Sequence, residues 1–310
     1  MEEREVDITI TEQEAREFLQ RYKSGEGGSP ARSQAAIARE LGISESAVSG
    51  FLSGTYKAPQ KIVGKVQALM EANEKKKVAP KEPGYVQTSI SKSVINAIRY
   101  CHIQGKISVV YGDAGVGKTM AFREYLRNNP LAVGITINPT YASITGVNEL
   151  LAEQLGVRER VARRITSEIV GKLRGSGRVL VIDEAQHLTV RTLNHLRCIS
   201  DESGVGICFI GNEEIYTRMK GSGRADFAQL FSRIGMRRPV STTDITKADV
   251  QAVFGGYEMD ESAMEALYRI CRTKYGLRGA VNVFVNTAAV FQEVTGSGIG
   301  EVMRDNNIGA

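Results

Sequence analysis

The chain of 310 residues is 42% hydrophobic and 24% charged, so it has room for two or three domains with buried cores and is not disordered throughout. No apolar run approaches the roughly 18 residues that span a bilayer, and the N-terminus MEEREVDITITEQEAREF is acidic where a signal peptide would be basic and then apolar; a cytoplasmic protein is expected. Four dispersed cysteines without a CxxC pair argue against a disulfide scaffold and structural zinc, and 40 basic against 35 acidic residues leave a net +5 that permits polyanion binding.

Residues 1–30 read as an acidic extension, partly flexible because Ser24–Pro30 (SGEGGSP) is rich in Gly and Ser. Positive charge begins after it: residues 1–20 hold seven acidic and two basic side chains, residues 21–81 five acidic and eleven basic. Residues 31–73 form a helix-turn-helix module in QAAIARELGISESAVSGFLS. Gly42 supplies the turn, Ile37, Leu41, Ile43, Val48 and Phe51 fill the buried positions, and Ser44 caps the second helix. Ser44, Glu45, Ser46 and Ser49 then lie on its outward face, which is short and nearly uncharged, so weak base preference is expected in a DNA groove. Contact with protein instead of DNA is the other reading of this module.

Residues 74–87 read as a linker, with a lysine run and two prolines between Glu74 and Gly84. From 88 to 244, apolar runs at Ile107–Tyr111, Ala132–Ile137, Val179–Ile182 and Ile207–Ile210 alternate with helical patterns, the signature of an α/β fold with a parallel sheet covered on both faces. Residues 245–295 carry three helical patterns, at about 246–254, 260–274 and 279–293, and 296–310 read as a flexible tail. Within 158–178, Val161, Ile165, Ile169 and Leu173 recur every four residues and leave Arg160, Arg163, Arg164 and Lys172 outside. Such a basic face is either solvated or set against DNA phosphates.

Gly112, Asp113, Ala114, Gly115, Val116, Gly117, Lys118 and Thr119 fit GxxxxGK[ST] between an apolar strand and a helix. Glycines let backbone N–H groups turn inward around a phosphate, Lys118 reaches the β/γ oxygens and the Thr119 hydroxyl suits Mg²⁺. Val179–Glu184 (VLVIDE) is an apolar strand ending in two carboxylates, where Asp183 suits the metal shell and Glu184 the attacking water. Asn212 follows the next apolar strand, where it is either a turn residue after Gly211 or placed to hydrogen-bond the γ-phosphate or the lytic water, and Arg233 follows the apolar stripe of QLFSRI, either as a surface arginine or as one that reaches a neighbour's nucleotide.

Together these motifs resemble an AAA+ P-loop ATPase with an N-terminal helix-turn-helix module and a C-terminal helical lid. VVYGDAGVGKTMAFREYLRNNPLAVGITINPTYAS, LVIDEAQHL and LFSRIGMRRPVSTTDITKADVQAV are similar to the Mu-type transposition B proteins. The resemblance covers nearly the whole chain and is strongest over about 107–250. It implies ATP and Mg²⁺ as ligands, hydrolysis stimulated by DNA and transposase, and filaments on double-stranded DNA with little sequence preference, from which target DNA is delivered to a transposase. It also implies Asn212 as sensor 1, Arg233 as an arginine finger and Arg278, in YGLRGAVNVFVNTAA, as sensor 2. A helicase loader or replication initiator, and an ATP-switched transcriptional regulator, remain the alternatives.

Overall fold

The computed structural model describes residues 10–26, 31–78, 82–159, 161–220, 232–291 and 293–308. The chain divides into two units, residues 1–80 and 81–310.

In the first unit, Thr11 and Glu14 form a capping box that starts α1 (Glu12–Ser24), and acidic side chains in its first turn favour the helix dipole. Ala15, Leu19 and Tyr22 share one face and are buried with Ile37, Val48, Phe51, Ile62 and Val66. The extension expected to be partly flexible therefore contributes a packed helix. Its signal, an apolar residue at 15, 19 and 22, is a one-sided helical stripe hidden among charges. Ser33 caps α2 (Gln34–Leu41), Gly42 turns the chain at φ +61°, and Ser44 caps α3 (Glu45–Ser53). Arg16 Nε donates to Phe51 O at 2.9 Å, which pins α1 to the end of α3. Lys65, on α4 (Gln60–Val78), donates to Leu41 O and Gly42 O at 3.1 and 3.2 Å and so closes the C-terminus of α2. The helix α4 continues to Val78, through the lysine run expected to open a linker at Glu74.

In the second unit, α5 (Ser89–Gln104) precedes a parallel sheet of order β2-β3-β4-β1-β5: β1 (Ile107–Gly112), β2 (Ala132–Thr136), β3 (Val179–Asp183), β4 (Gly206–Ile210) and β5 (Ile234–Val240). The crossovers carry α6 (Lys118–Asn128), α7 (Ile144–Leu155), α8 (Ala162–Leu173), α9 (Val190–Ser203) and α10 (Glu213–Lys220). Side chains alternate between the faces as a pleated strand requires. Val110, Val181, Cys208 and Ile210 pack with α5 and α6, whereas Val109, Leu180, Ile182, Ile207 and Phe209 pack with the residues of α7 to α10. Burying each such side chain contributes about 1.5–3 kcal/mol. No helix among the described residues is long and apolar enough to cross a membrane.

The strand β5 has no counterpart in the pattern of apolar runs. It lies at the sheet edge, with only Ile234 and Val240 buried and Met236 partly so, and its other positions carry Gly, Arg and Pro. An edge strand tolerates Pro239 because one side of its backbone needs no ladder partner.

Beyond β5, α11 (Lys247–Phe254), α12 (Glu261–Cys271) and α13 (Gly276–Val290) form the helical segment expected as a lid. The segment expected to be a flexible tail forms α14 (Gly296–Asp305), capped by Thr295, with Ile299 and Val302 buried in the same core as Leu267 and Phe284. Its glycine-rich opening conceals a cap followed by apolar residues three apart. Ile299→Ala should cost about 2–4 kcal/mol in urea unfolding. Unchanged stability would show that α14 contributes nothing to the fold.

Candidate nucleotide site

The strand β1 ends at Gly112, whose φ of +132° takes the chain past the end of β5. A Cβ there would meet Val240 O at 1.9 Å, so only glycine fits. Asp113 N donates to Val240 O at 3.0 Å, and the loop reaches α6 through Gly115 and Gly117, both at positive φ. Gly117 provides no side-chain cap to α6, so the first N–H groups of that helix keep their hydrogen-bonding capacity for a ligand. Lys118 Nζ donates to Gly112 O and Asp113 O at 3.0 and 2.5 Å. Burial pushes its pKa down, against the opposing pull of Asp183 and Glu184. An uncapped helix N-terminus beside a half-buried lysine fits a phosphate group.

Facing this cradle, Thr119 Oγ1 donates to Asp183 Oδ2 at 2.9 Å, and burial pushes the Asp183 carboxyl up. Hydroxyl and carboxylate together present the hard oxygen pair that a divalent cation prefers. Glu184, at the turn out of β3, adopts φ +55°, a left-handed conformation that costs a non-glycine residue about 1 kcal/mol. Asn212 follows β4, and its Oδ1 accepts from Glu214 N at 2.9 Å, which orients the amide and leaves its NH₂ group as a donor for a ligand. A cavity of about 440 Å³ brings these groups together: Lys118, Thr119, Asp183, Glu184, Asn212 and Arg278 line it, with Tyr85, Val86, Val253, Leu277 and Val281 as its apolar wall. Arg278 enters from α13, where its backbone N–H donates to Gly115 O at 3.0 Å.

Two expected residues stand elsewhere. The Asp113 carboxylate turns away from the cradle and accepts from Thr242 N at 2.7 Å and Ser241 Oγ at 2.9 Å, so its side chain anchors the loop. The backbone hydrogen bond from Thr242 holds its pKa below the ordinary value. Arg233 precedes β5, where Ile234 pairs with Ile107 while Val240 pairs with Gly112. Seven residues at about 3.3 Å each put it roughly 20 Å from the loop of its own chain. There it faces Asp201 at 3.7 Å.

Of the candidate DNA contacts, Ser44, Glu45, Ser46 and Ser49 are exposed, and the Ser44 hydroxyl accepts from Ala47 N at 3.2 Å as the helix cap. Arg164 is exposed, 4.0 Å from Glu159. Arg160 lies outside the described residues, and Arg163 is described only as a position in α8. Val161, expected on the buried face, is 45% exposed because it precedes the first turn of α8, whereas Ile169 and Leu173 are buried.

Sequence reasoning passed over Gln186, which lines the cavity, and Asp249. The buried Asp249 carboxylate accepts from Ser89 N and Oγ, both at 2.6 Å, and from Thr246 N and Oγ1 at 2.9 and 2.8 Å. It thereby ties the start of α5, which follows the Tyr85–Val86 wall, to α11 of the lid. The only sequence signal is the Thr246–Asp249 capping spacing; its second partner is 160 residues away.

This fold and this site define a P-loop ATPase of the AAA class, and the AAA domain family model matches residues 102–219. The fold is that of Cdc6p from Pyrobaculum aerophilum, with a TM-score of 0.56 at 13% identity over 74% of this chain and 70% of that one. Two relatives narrow the class. The Mu-like prophage FluMu DNA transposition protein B of Haemophilus influenzae is 34% identical over 79% of this chain and 88% of its own length. The ATP-dependent target DNA activator B of Escherichia phage Mu is 31% identical over 87% of this chain and 86% of its own. The chain belongs to the family of Mu-type transposition B proteins.

Burial works to raise the Asp249 pKa, but the hydrogen bonds from Ser89 and Thr246 outweigh it and the net shift is downward. A carboxyl with a folded pKa below its unfolded value stabilises the fold above the ordinary carboxylate range, and that stabilisation is lost as pH falls through the folded value. Asp249→Asn should therefore cost about 2 kcal/mol or more at pH 7, with a Tm deficit that shrinks below about pH 4. A deficit constant down to pH 3 would contradict this account.

Proposed function

We propose that this ATPase is an ATP-dependent activator of target DNA in Mu-type transposition: it assembles on duplex DNA with little sequence preference, presents that DNA to the transposase and stimulates strand transfer. The observation that carries the reading is the phosphate cradle facing Asp183 and Glu184, in a chain 31% identical to a protein named as an ATP-dependent target DNA activator.

In this reading Lys118 and the N–H groups of the loop from residue 114 to residue 119 bind the phosphates. Thr119 Oγ1 and the Asp183 carboxylate would hold Mg²⁺, which would supply charge neutralisation to the polyphosphate. Glu184 accepts a hydrogen bond from the attacking water and turns its lone pair toward phosphorus. The Asn212 amide and the Arg278 guanidinium report the γ-phosphate to β4 and to the lid. Phosphoryl transfer needs positioning and charge more than covalent help from the protein. Arg233 completes the site of a neighbouring protomer, so turnover rises when protomers assemble on DNA and again when the transposase engages them. On the DNA side, Ser44, Glu45, Ser46 and Ser49 present a face poor in base-reading groups, and Arg160, Arg163 and Arg164 contact phosphates.

ATP hydrolysis and electron microscopy of one sample, with and without random-sequence duplex, test this reading. Continuous ATP-dependent filaments with DNA-stimulated turnover are expected; discrete particles at a single sequence would replace it with an initiator or a regulator. Arg233→Ala should abolish the DNA-stimulated component while nucleotide binding persists, and undiminished stimulation would remove Arg233 from the role. Replacing Arg163 and Arg164 by Ala should weaken binding to every duplex and reduce the slope of log K against log salt by about 1.8, at roughly 0.9 per phosphate contact. Loss confined to one sequence would refute phosphate contact.

A further inference from the structure

Gln186 occupies the short turn between β3 and α9, two residues beyond Glu184, and it is buried at the wall of the nucleotide cavity. Both ends of its amide are committed. The Nε2 group donates to Glu184 Oε2, and Oε1 accepts from the backbone N–H of Asn212 at 3.3 Å. One side chain thus spans the two strand ends that carry the carboxylate and the sensor, the C-termini of β3 and β4. The space around it is closed: a Cβ at Gly211 would lie 2.5 Å from Gln186 Oε1 and 3.3 Å from Gln186 N, so residue 211 must be glycine for the amide to keep its place. Glu184 meets the amide from a left-handed backbone, φ +55° and ψ +35°, which turns its side chain back toward Gln186 at the strand tip.

We propose that Gln186 is the positioning residue for Glu184 in ATP hydrolysis, holding one carboxylate oxygen by its Nε2 donor and referring it through Oε1 to the backbone of Asn212. This rests on the reading above that Glu184 orients the attacking water. The chemistry follows from the donor count. An ionised carboxylate only accepts hydrogen bonds; the bond from Gln186 to Oε2 fixes the plane of the carboxylate, and Oε1, which Gln186 does not contact, is thereby aimed to accept from water. A glutamate alone has three side-chain torsions and would spread that oxygen over several positions. Displacement of a reacting group by about 1 Å costs on the order of a hundredfold in rate. The link to Asn212 N also makes the carboxylate sense the position of the β4 tip, so that movement of the sensor residue repositions the oxygen that faces the water.

Two nearly isosteric substitutions separate positioning from mere structural support. Gln186→Met removes both hydrogen bonds. Gln186→Glu keeps an acceptor for Asn212 N–H and replaces the donor to Glu184 by a like charge. Both variants should lower the DNA-stimulated kcat by about ten- to a hundredfold, with KM and the affinity for a fluorescent ATP analogue within about twofold of the parent. In a Glu184→Gln background neither should lower kcat further, because the group they position is already gone. Gly211→Ala should reproduce the loss in kcat by displacing the amide. If Gln186→Glu retains parental kcat, or if both variants lose nucleotide affinity in proportion to kcat, Gln186 supports the loop and does not position Glu184. Parental turnover in Glu184→Gln alone would instead overturn the role of Glu184, and the role of Gln186 with it.

Discussion

The phosphate loop is held from two directions at once, and that double constraint organises the second unit. On one side the end of β5 lies so close to Gly112 that no side chain is tolerated, and Ser241 and Thr242 grip the Asp113 carboxylate. On the other, α13 begins against the loop: Gly276, at φ +61°, stands 3.0 Å from Ala114 O in Cβ terms, and Arg278 N donates to Gly115 O at 3.0 Å. Sheet edge, loop and lid therefore share hydrogen bonds instead of merely adjoining. A ligand that reshapes the loop must strain or move its neighbours, because packed interiors shift between discrete arrangements more readily than they deform.

Charge gives this arrangement its direction. Burial depresses the Lys118 pKa and raises that of Asp183, so each charged form pays a desolvation cost inside the cavity. Their mutual attraction offsets part of that cost, and a polyphosphate with its cation supplies the complementary charges for both. Asp249, four times hydrogen-bonded, keeps the lid attached to the start of α5 beside the apolar wall. Two independent ties, Arg278 N to Gly115 O and Asp249 to Ser89, thus join the C-terminal helices to the phosphate loop and to the start of α5.

How much of this was legible depended on whether a residue's role was local. The strands β1 to β4 are buried on both faces and announce themselves as apolar runs, and Gly112–Thr119 is a local device whose spacing is its function. The edge strand β5 is not legible because solvent relieves it of apolar side chains. The helices α1 and α14 were hidden by composition: the first looks like an acidic leader, the second like a glycine-rich tail, yet each buries a narrow stripe. Lys118, Thr119, Asp183 and Glu184 could be named because motif spacing placed them, Asn212 because it follows an apolar strand, and Arg278 only through the family resemblance; the cavity brings all six together. Asp113 could not be separated from its motif, since the partners that claim its carboxylate are 128 and 129 residues away. Gln186 and Asp249 were missed because in each case one partner is local and the decisive second one, Asn212 or Ser89, is supplied by the fold.

The placement of Arg233 constrains how such a site can turn over. The strand β5 separates it from its own phosphate loop by roughly 20 Å, several times the reach of an arginine side chain, and the register with β1 fixes that separation. A phosphate served by Arg233 must therefore belong to another protomer. The far end of the same strand grips the loop of its own chain through Val240 and Thr242. Under the role proposed for Arg233, one rigid strand would connect the nucleotide held by a protomer to the arginine it offers its neighbour. Under the proposed role of Arg233, a site built this way is incomplete in the isolated chain, and assembly on DNA becomes a condition of hydrolysis.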